Sequence, residues 1–187
     1  MGVRDWFKPK DKKSKVGLDL KVECEPIDGS PETDFLFIRV SEHDLRSALG
    51  SWKWLPLNGL TVFSVSAFGE VFFRNNTGEI FHIDTIEGQL SEVASNKSEL
   101  ISLLQREETR DKILLSGFVV AARARGLILG EGECYDFKIA PILGGPMEDE
   151  KVEKTSFVVK LDIAGQIHEQ IRDLPAGTEI SEVIIKD

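Results

Sequence analysis

Short apolar runs broken by turn residues dominate the middle of the chain. Between Leu60 and Val93 they are Thr61-Val62-Phe63-Ser64-Val65, Val71-Phe72-Phe73-Arg74, Ile80-Phe81-His82-Ile83-Asp84 and Gln89-Leu90-Ser91-Glu92-Val93. Phe68-Gly69-Glu70, Asn75-Asn76-Thr77-Gly78 and Glu87-Gly88 separate them, so the pattern predicts an antiparallel meander. Upstream, Leu18 to Val22 alternates, and Phe35-Leu36-Phe37-Ile38-Arg39-Val40 forms an apolar run. With Asp28-Gly29-Ser30-Pro31 between them, they predict a hairpin.

Elsewhere the spacing is helical. Ser41, with Asp44 three residues on and Leu45, Ala48 and Leu49 behind it, predicts a short capped helix closed by Gly50. Ser95 or Asn96 caps a second helix with a stripe at Leu100, Ile101, Leu103 and Leu104. Ile113, Leu114, Gly117, Phe118, Ala121 and Ala122 continue a helix from Glu107 to about Arg125, stopped by Gly126. After a glycine-rich strand or loop between Gly130 and Gly145, the spacing of Leu161, Ala164, Ile167 and Ile171 predicts a helix from about Ser156 to Asp173. Ile180 to Ile185 predicts a last short strand. The fold class expected is α+β: an antiparallel meander sheet with two or three helices packed on it.

Composition narrows this modestly. At 187 residues, 41% hydrophobic and 29% charged, the chain has the make-up of one globular domain rather than a disordered one. We expect a basic flexible arm over residues 1–16 and a single domain over 17–187. The formal charge of -9 hides an asymmetry, because Arg4, Lys8, Lys10, Lys12, Lys13 and Lys15 face only Asp5 and Asp11 in the arm. The remainder is more acidic than the total suggests, which disfavours binding to nucleic acid or membrane phosphates and would attract a basic protein partner, although on charge alone simple solubility accounts for it better. Cys24 and Cys134 stand far apart with no paired motif, and read as reduced thiols. No apolar segment approaches the ~18 residues of a membrane span. A cytoplasmic location is expected.

Catalytic templates fail for specific reasons. His168-Glu169-Gln170-Ile171-Arg172 imitates a zinc-protease helix but puts a cation where the second imidazole belongs. Gly130-Glu131-Gly132 lacks the third glycine of a dinucleotide loop and sets carboxylates where pyrophosphate would sit. Phosphate-loop and nucleophile-elbow motifs are absent from the sequence. Cys134 with His168 is the remaining enzymatic alternative, a cysteine hydrolase, but Glu131, Glu133 and Asp136 would raise the thiol pKa. The expectation is a binding protein, not an enzyme, with no cofactor, no metal and no catalytic residue.

Three stretches carry further information: Ala67 to Phe73 with Gly78 to Thr85; Gly132-Glu133-Cys134-Tyr135-Asp136-Phe137-Lys138 through Leu143-Gly144-Gly145; and Ile163-Ala164-Gly165-Gln166-Ile167-His168-Glu169-Gln170 with Asp173-Leu174-Pro175. Together, over about residues 50–185, they resemble the C-terminal domain of type VI secretion DNase-immunity proteins, a bacterial family related to GAD-like and SUKH immunity proteins. The first 45 or so residues look too short and basic for the GAD-like domain that precedes it in many relatives.

The resemblance implies an immunity protein that binds and neutralises a cognate secreted toxin, a basic nuclease, by protein–protein blockade. The alternative is a SUKH-type adaptor or regulatory module without a toxin partner. An inhibitor competing with a polyanion at a basic cleft would use carboxylates, which makes Glu131, Glu133, Glu148, Asp149 and Glu150 candidate contacts, with Tyr135 as an aromatic anchor. The same acidic residues would equally suit a solvated loop. For Gly144, Gly145 and Gly165, tight backbone packing is expected rather than a ligand.

Overall fold

The computed structural model describes residues 18, 20–24, 27, 32–175, 177–180 and 182–186. The expected basic arm lies outside the described residues. The centre is a five-stranded sheet of β1 (Lys21–Val22), β2 (Thr61–Val65), β3 (Val71–Arg74), β4 (Ile80–Asp84) and β5 (Gln89–Ala94), paired in chain order. The meander β2 to β5 is antiparallel as its turns predict, with Phe72 opposite His82 and Ile83 opposite Leu90.

The predicted N-terminal hairpin does not form. β1 instead pairs parallel to β2. Asp34–Leu36 is a 3-10 turn. The segment after it meets the far end of the same β2 edge, where Phe37 bridges Ser66 and the Ile38 N–H donates to the Val65 carbonyl at 3.0 Å. Both segments are drawn to one free sheet edge, a competition that local sequence does not encode.

Five α-helices occur among the described residues, more than the two or three expected: α1 (Glu42–Ala48), α2 (Lys97–Leu104), α3 (Glu107–Leu114), α4 (Ser116–Ala124) and α5 (Phe157–Ile171). They cover both faces of the sheet. Phe63, Phe72 and Ile80 point into a core with Leu100, Leu114, Val119 and Ala122 from α2 to α4. The alternate residues Val62, Val65, Val71, Phe73 and Ile83 point into a second core with Leu45, Trp52, Phe157 and Leu161. Double coverage explains why β2 and β3 read as nearly continuous apolar runs rather than alternating ones.

The helix expected over 107–125 is two helices. Leu115 takes left-handed angles (φ 51°, ψ 39°), and the Asp111 carboxylate accepts from the Gly117 N–H at 2.6 Å, capping the new helix. α1 begins as predicted, with Ser41 Oγ accepting from the Asp44 N–H at 3.1 Å, but Gly50 does not stop it; the chain tightens into a 3-10 turn through Trp52. A two-stranded hairpin of β6 (Glu133–Phe137) and β7 (Val152–Ser156) leads into α5. The strand expected at 180–185 does not form among its described residues; this segment lies against α5 instead.

Candidate partner interface

The six predicted contact residues do not share one surface. Glu131 is exposed at the turn before β6. Glu133 is occupied: its carboxylate takes the Lys154 ammonium at 2.8 Å and the Gly130 N–H at 2.6 Å, and these partners, Lys154 first, hold its pKa below the ordinary range. Tyr135 is fully buried, among Phe68 and the α2 to α4 core, and its hydroxyl donates to the Leu127 carbonyl. A buried ring cannot anchor a partner, so Tyr135 is part of the core. Glu148, Asp149 and Glu150 are exposed beside the 3-10 turn Asp149–Lys151.

Hairpin register explains the separation. Glu133 pairs with Ser156 at one end of β6–β7, whereas Phe137 pairs with Val152 at the other, next to the acidic corner. Four strand steps of about 3.3 Å put these ends roughly 13 Å apart.

What the acidic corner does adjoin is an apolar loop. Ile139, Ile142, Leu143 and Met147 are all exposed there, and Val159 on the facing side of α5 is half exposed. The loop is cinched by backbone bonds, with the Leu143 N–H donating to the Ala140 carbonyl at 2.9 Å, Gly144 to Pro141 at 2.9 Å and Gly145 to Ala140 at 3.2 Å. A Cβ at Gly145 would overlap the Ile139 carbonyl, so Gly145 serves close backbone packing as expected, whereas Gly144 has open space around it and is required instead by its left-handed backbone (φ 84°). The loop therefore holds four large apolar side chains in water on a constrained frame, edged by three carboxylates. Clusters of this kind mark interaction surfaces.

Between this loop and α5 lies a cavity of about 110 Å³ lined by Thr85, Asp136, Ile142, Lys160 and His168 among others. Lys160 is buried: its ammonium donates to the Phe68 and Tyr135 carbonyls and lies 3.5 Å from Asp136. His168 Nε2 faces the Thr85 carbonyl at 3.1 Å, and burial pushes its pKa down. A Cβ at Gly88 would run into the His168 ring, so this histidine is a packed strut between α5 and the β4–β5 turn. Arg172, which broke the zinc pattern, lies over the Trp54 ring at 5.6 Å. No group of metal-binding side chains occurs among the described residues.

The cysteine alternative fares poorly. Cys134 is fully buried, and burial chiefly, with Asp136 and Glu133 adding to it against Lys160, pushes its thiol up to about 11. A thiol that stays protonated and shielded from solvent is a poor nucleophile.

Residues 94–168 match the family described as T6SS immunity protein Tdi1, C-terminal. The match runs from the last residue of β5 to His168 in α5, taking in α2 to α4, the β6–β7 hairpin and the apolar loop. The resemblance read from the sequence is thus borne out over that stretch. No curated protein sequence matches the chain. Among solved structures, the crystal structure of Atu4351 from Agrobacterium tumefaciens aligns at TM-score 0.41 and 20% identity over 66% of this chain. The aligned part covers 62% of that chain, less than two thirds of its length. Among the described residues, no helix is long and apolar enough to cross a membrane.

Proposed function

We propose that this chain is an immunity protein that neutralises a basic toxin nuclease by direct blockade, acting in the cytoplasm as one domain over residues 17–187. The observation that carries the reading is the immunity-family match, which includes the loop and helix bearing the exposed apolar cluster. Acidity supports the nuclease as target, since an inhibitor of an enzyme that binds a polyanion competes for a cationic cleft. The contact surface in this reading is Glu148, Asp149 and Glu150 around Ile142, Leu143 and Met147. Tyr135 and Glu133 drop out, because one is core and the other is tied to Lys154.

Co-expression with a nuclease toxin encoded in its genomic neighbourhood tests it. Growth should be rescued and the two proteins should purify together. Reversing Glu148, Asp149 and Glu150 to Lys should slow association about 10-fold or more at low salt and less at high salt, because steering by surface charge is screened. No rescue and no co-purification would remove the immunity reading in favour of an adaptor module. Rescue with a salt-independent, unchanged association rate would remove this surface.

A further inference from the structure

Gln166 and Gln170 lie one turn apart on α5, and neither is needed by the core. Each carboxamide closes a pair of hydrogen bonds on one residue of the chain's own C-terminal segment. Gln166 Nε2 donates to the Lys186 carbonyl at 3.0 Å while its Oε1 accepts from the Lys186 N–H at 2.7 Å. Gln170 Nε2 donates to the Ile184 carbonyl at 2.9 Å while its Oε1 accepts from the Ile184 N–H at 3.1 Å.

The geometry is periodic on both sides. Four helical residues rise about 6 Å. Two residues of extended chain span about 6.6 Å. An extended backbone running antiparallel to α5 therefore meets the two glutamines at every second residue. Its side chains are not used: Ile184 is 60% and Ile185 45% exposed. The glutamines are also held in advance, since Gln166 Nε2 bonds Asp162 at 2.8 Å, Asp162 accepts from Ser51 Oγ, and Gln170 Nε2 bonds the Gln166 carbonyl at 2.9 Å.

The segment on this site is a light occupant. It forms no strand pairing among the described residues, and large apolar side chains on it stay in water. Further back it shares a surface groove with the apolar loop, where Glu179, Ile180 and Glu182 face Ile142 and Leu143. Lifting the segment would join the glutamine pair to the surface proposed for the toxin. Glu169, exposed on the same helix, would favour a cationic arrival, whereas Asp173 in the turn beyond it is paired with Arg172 at 3.4 Å.

We propose that Gln166 and Gln170 form a main-chain-reading site for an extended cationic segment of the partner toxin, a site held in the free protein by residues 184–186. This rests on the immunity reading above. The segment acts as a placeholder, and the toxin competes with it.

Two full-length variants separate the roles. Ile184→Pro with Lys186→Pro removes both N–H donors of the segment and leaves the glutamines intact. Gln166→Ala with Gln170→Ala removes the site; both side chains lie outside the core, and circular dichroism checks the fold. In the free protein the Ile184 and Lys186 amides should exchange slowly in wild type and fast in the glutamine variant. Against the nuclease toxin that the co-expression test identifies, purified in inactivated form, the proline variant should bind at least threefold tighter than wild type, because a competing state is lost. The glutamine variant should bind at least tenfold weaker.

A synthetic peptide of residues 178–187 should bind the proline variant, and should not bind that variant once both glutamines are also alanine. Equal toxin affinities across wild type and both variants would overturn the proposal while leaving immunity intact. Failure of wild type to bind the toxin at all would overturn the immunity reading, and with it the partner named here.

Discussion

Gly165→Ala sets two effects of known sign against each other. In an open helix, alanine is favoured over glycine by about 1 kcal/mol. At Gly165 a Cβ would stand 2.8 Å from Trp52 Nε1, 2.9 Å from Ser51 Cβ and 2.9 Å from the Ser51 carbonyl oxygen. One of these neighbours is backbone and another is a fully buried indole, so α5 must move away from the 3-10 turn at Leu49–Trp52. Forcing a methyl into a packed interface costs about 1–3 kcal/mol. Movement also stretches the 2.7 Å bond from Trp52 Nε1 to the Leu161 carbonyl, and a buried donor left unpaired costs about 1–3 kcal/mol more.

After the helix-propensity gain, a net loss of about 1–5 kcal/mol is expected, or a Tm lower by about 2–20 °C at this chain length. Urea unfolding followed by tryptophan fluorescence measures it. Gly50→Ala is the control: nothing lies within 4 Å of its Cβ and its φ is not left-handed, so it should gain about 0.4–1 kcal/mol. If Gly165→Ala were as stable as wild type or more so, the close approach of α5 to Trp52 would not be what holds this face together.

Two further outcomes follow from buried groups. Glu70 is buried with one carboxylate oxygen unpartnered among the described residues; burial first, then Asp84, lifts its pKa well above 4.5 against the pull of Lys160. The folded state therefore holds a proton that the unfolded state releases, so stability falls as pH rises from about 4.5 through the folded value. Glu70→Gln should flatten this slope between pH 5 and 8 in urea titrations, and parallel slopes would sink the assignment. A thiol-reactive dye should label the exposed Cys24 in the native protein and reach the buried Cys134 only on unfolding. Cys134→Ala should leave protection against the toxin intact, and a loss of protection with the fold preserved would revive a role for the thiol.

Much of the fold could be read from local pattern. The meander strands and their turns, the Ser41 cap of α1, the Asn96 cap of α2 and the start of α5 after Ser156 all follow from interactions within four or five residues. Among the site residues, the exposed acidic corner and the packing glycines 145 and 165 were likewise legible. β7 was not, because Val152-Glu153-Lys154-Thr155-Ser156 has one apolar residue and is a strand by virtue of pairing with β6. Nor was the break at Leu115, where apolar spacing runs on and the Asp111 carboxylate decides otherwise.

The chain by itself determined where the meander turns, where α1, α2, α3 and α5 begin, how acidic it is and which catalytic motifs it lacks, since each depends on near neighbours or on counting. Only the tertiary structure decided that the sheet is covered on both faces, that Tyr135 is core and that Glu133 is tied to Lys154. It also laid the C-terminal segment on Gln166 and Gln170. Those contacts join residues from 14 positions apart, Gln170 with Ile184, to 109 apart, Trp52 with Leu161 in the second core. Which side chains meet over such distances depends on how whole elements share buried area, and no local run of residues specifies that.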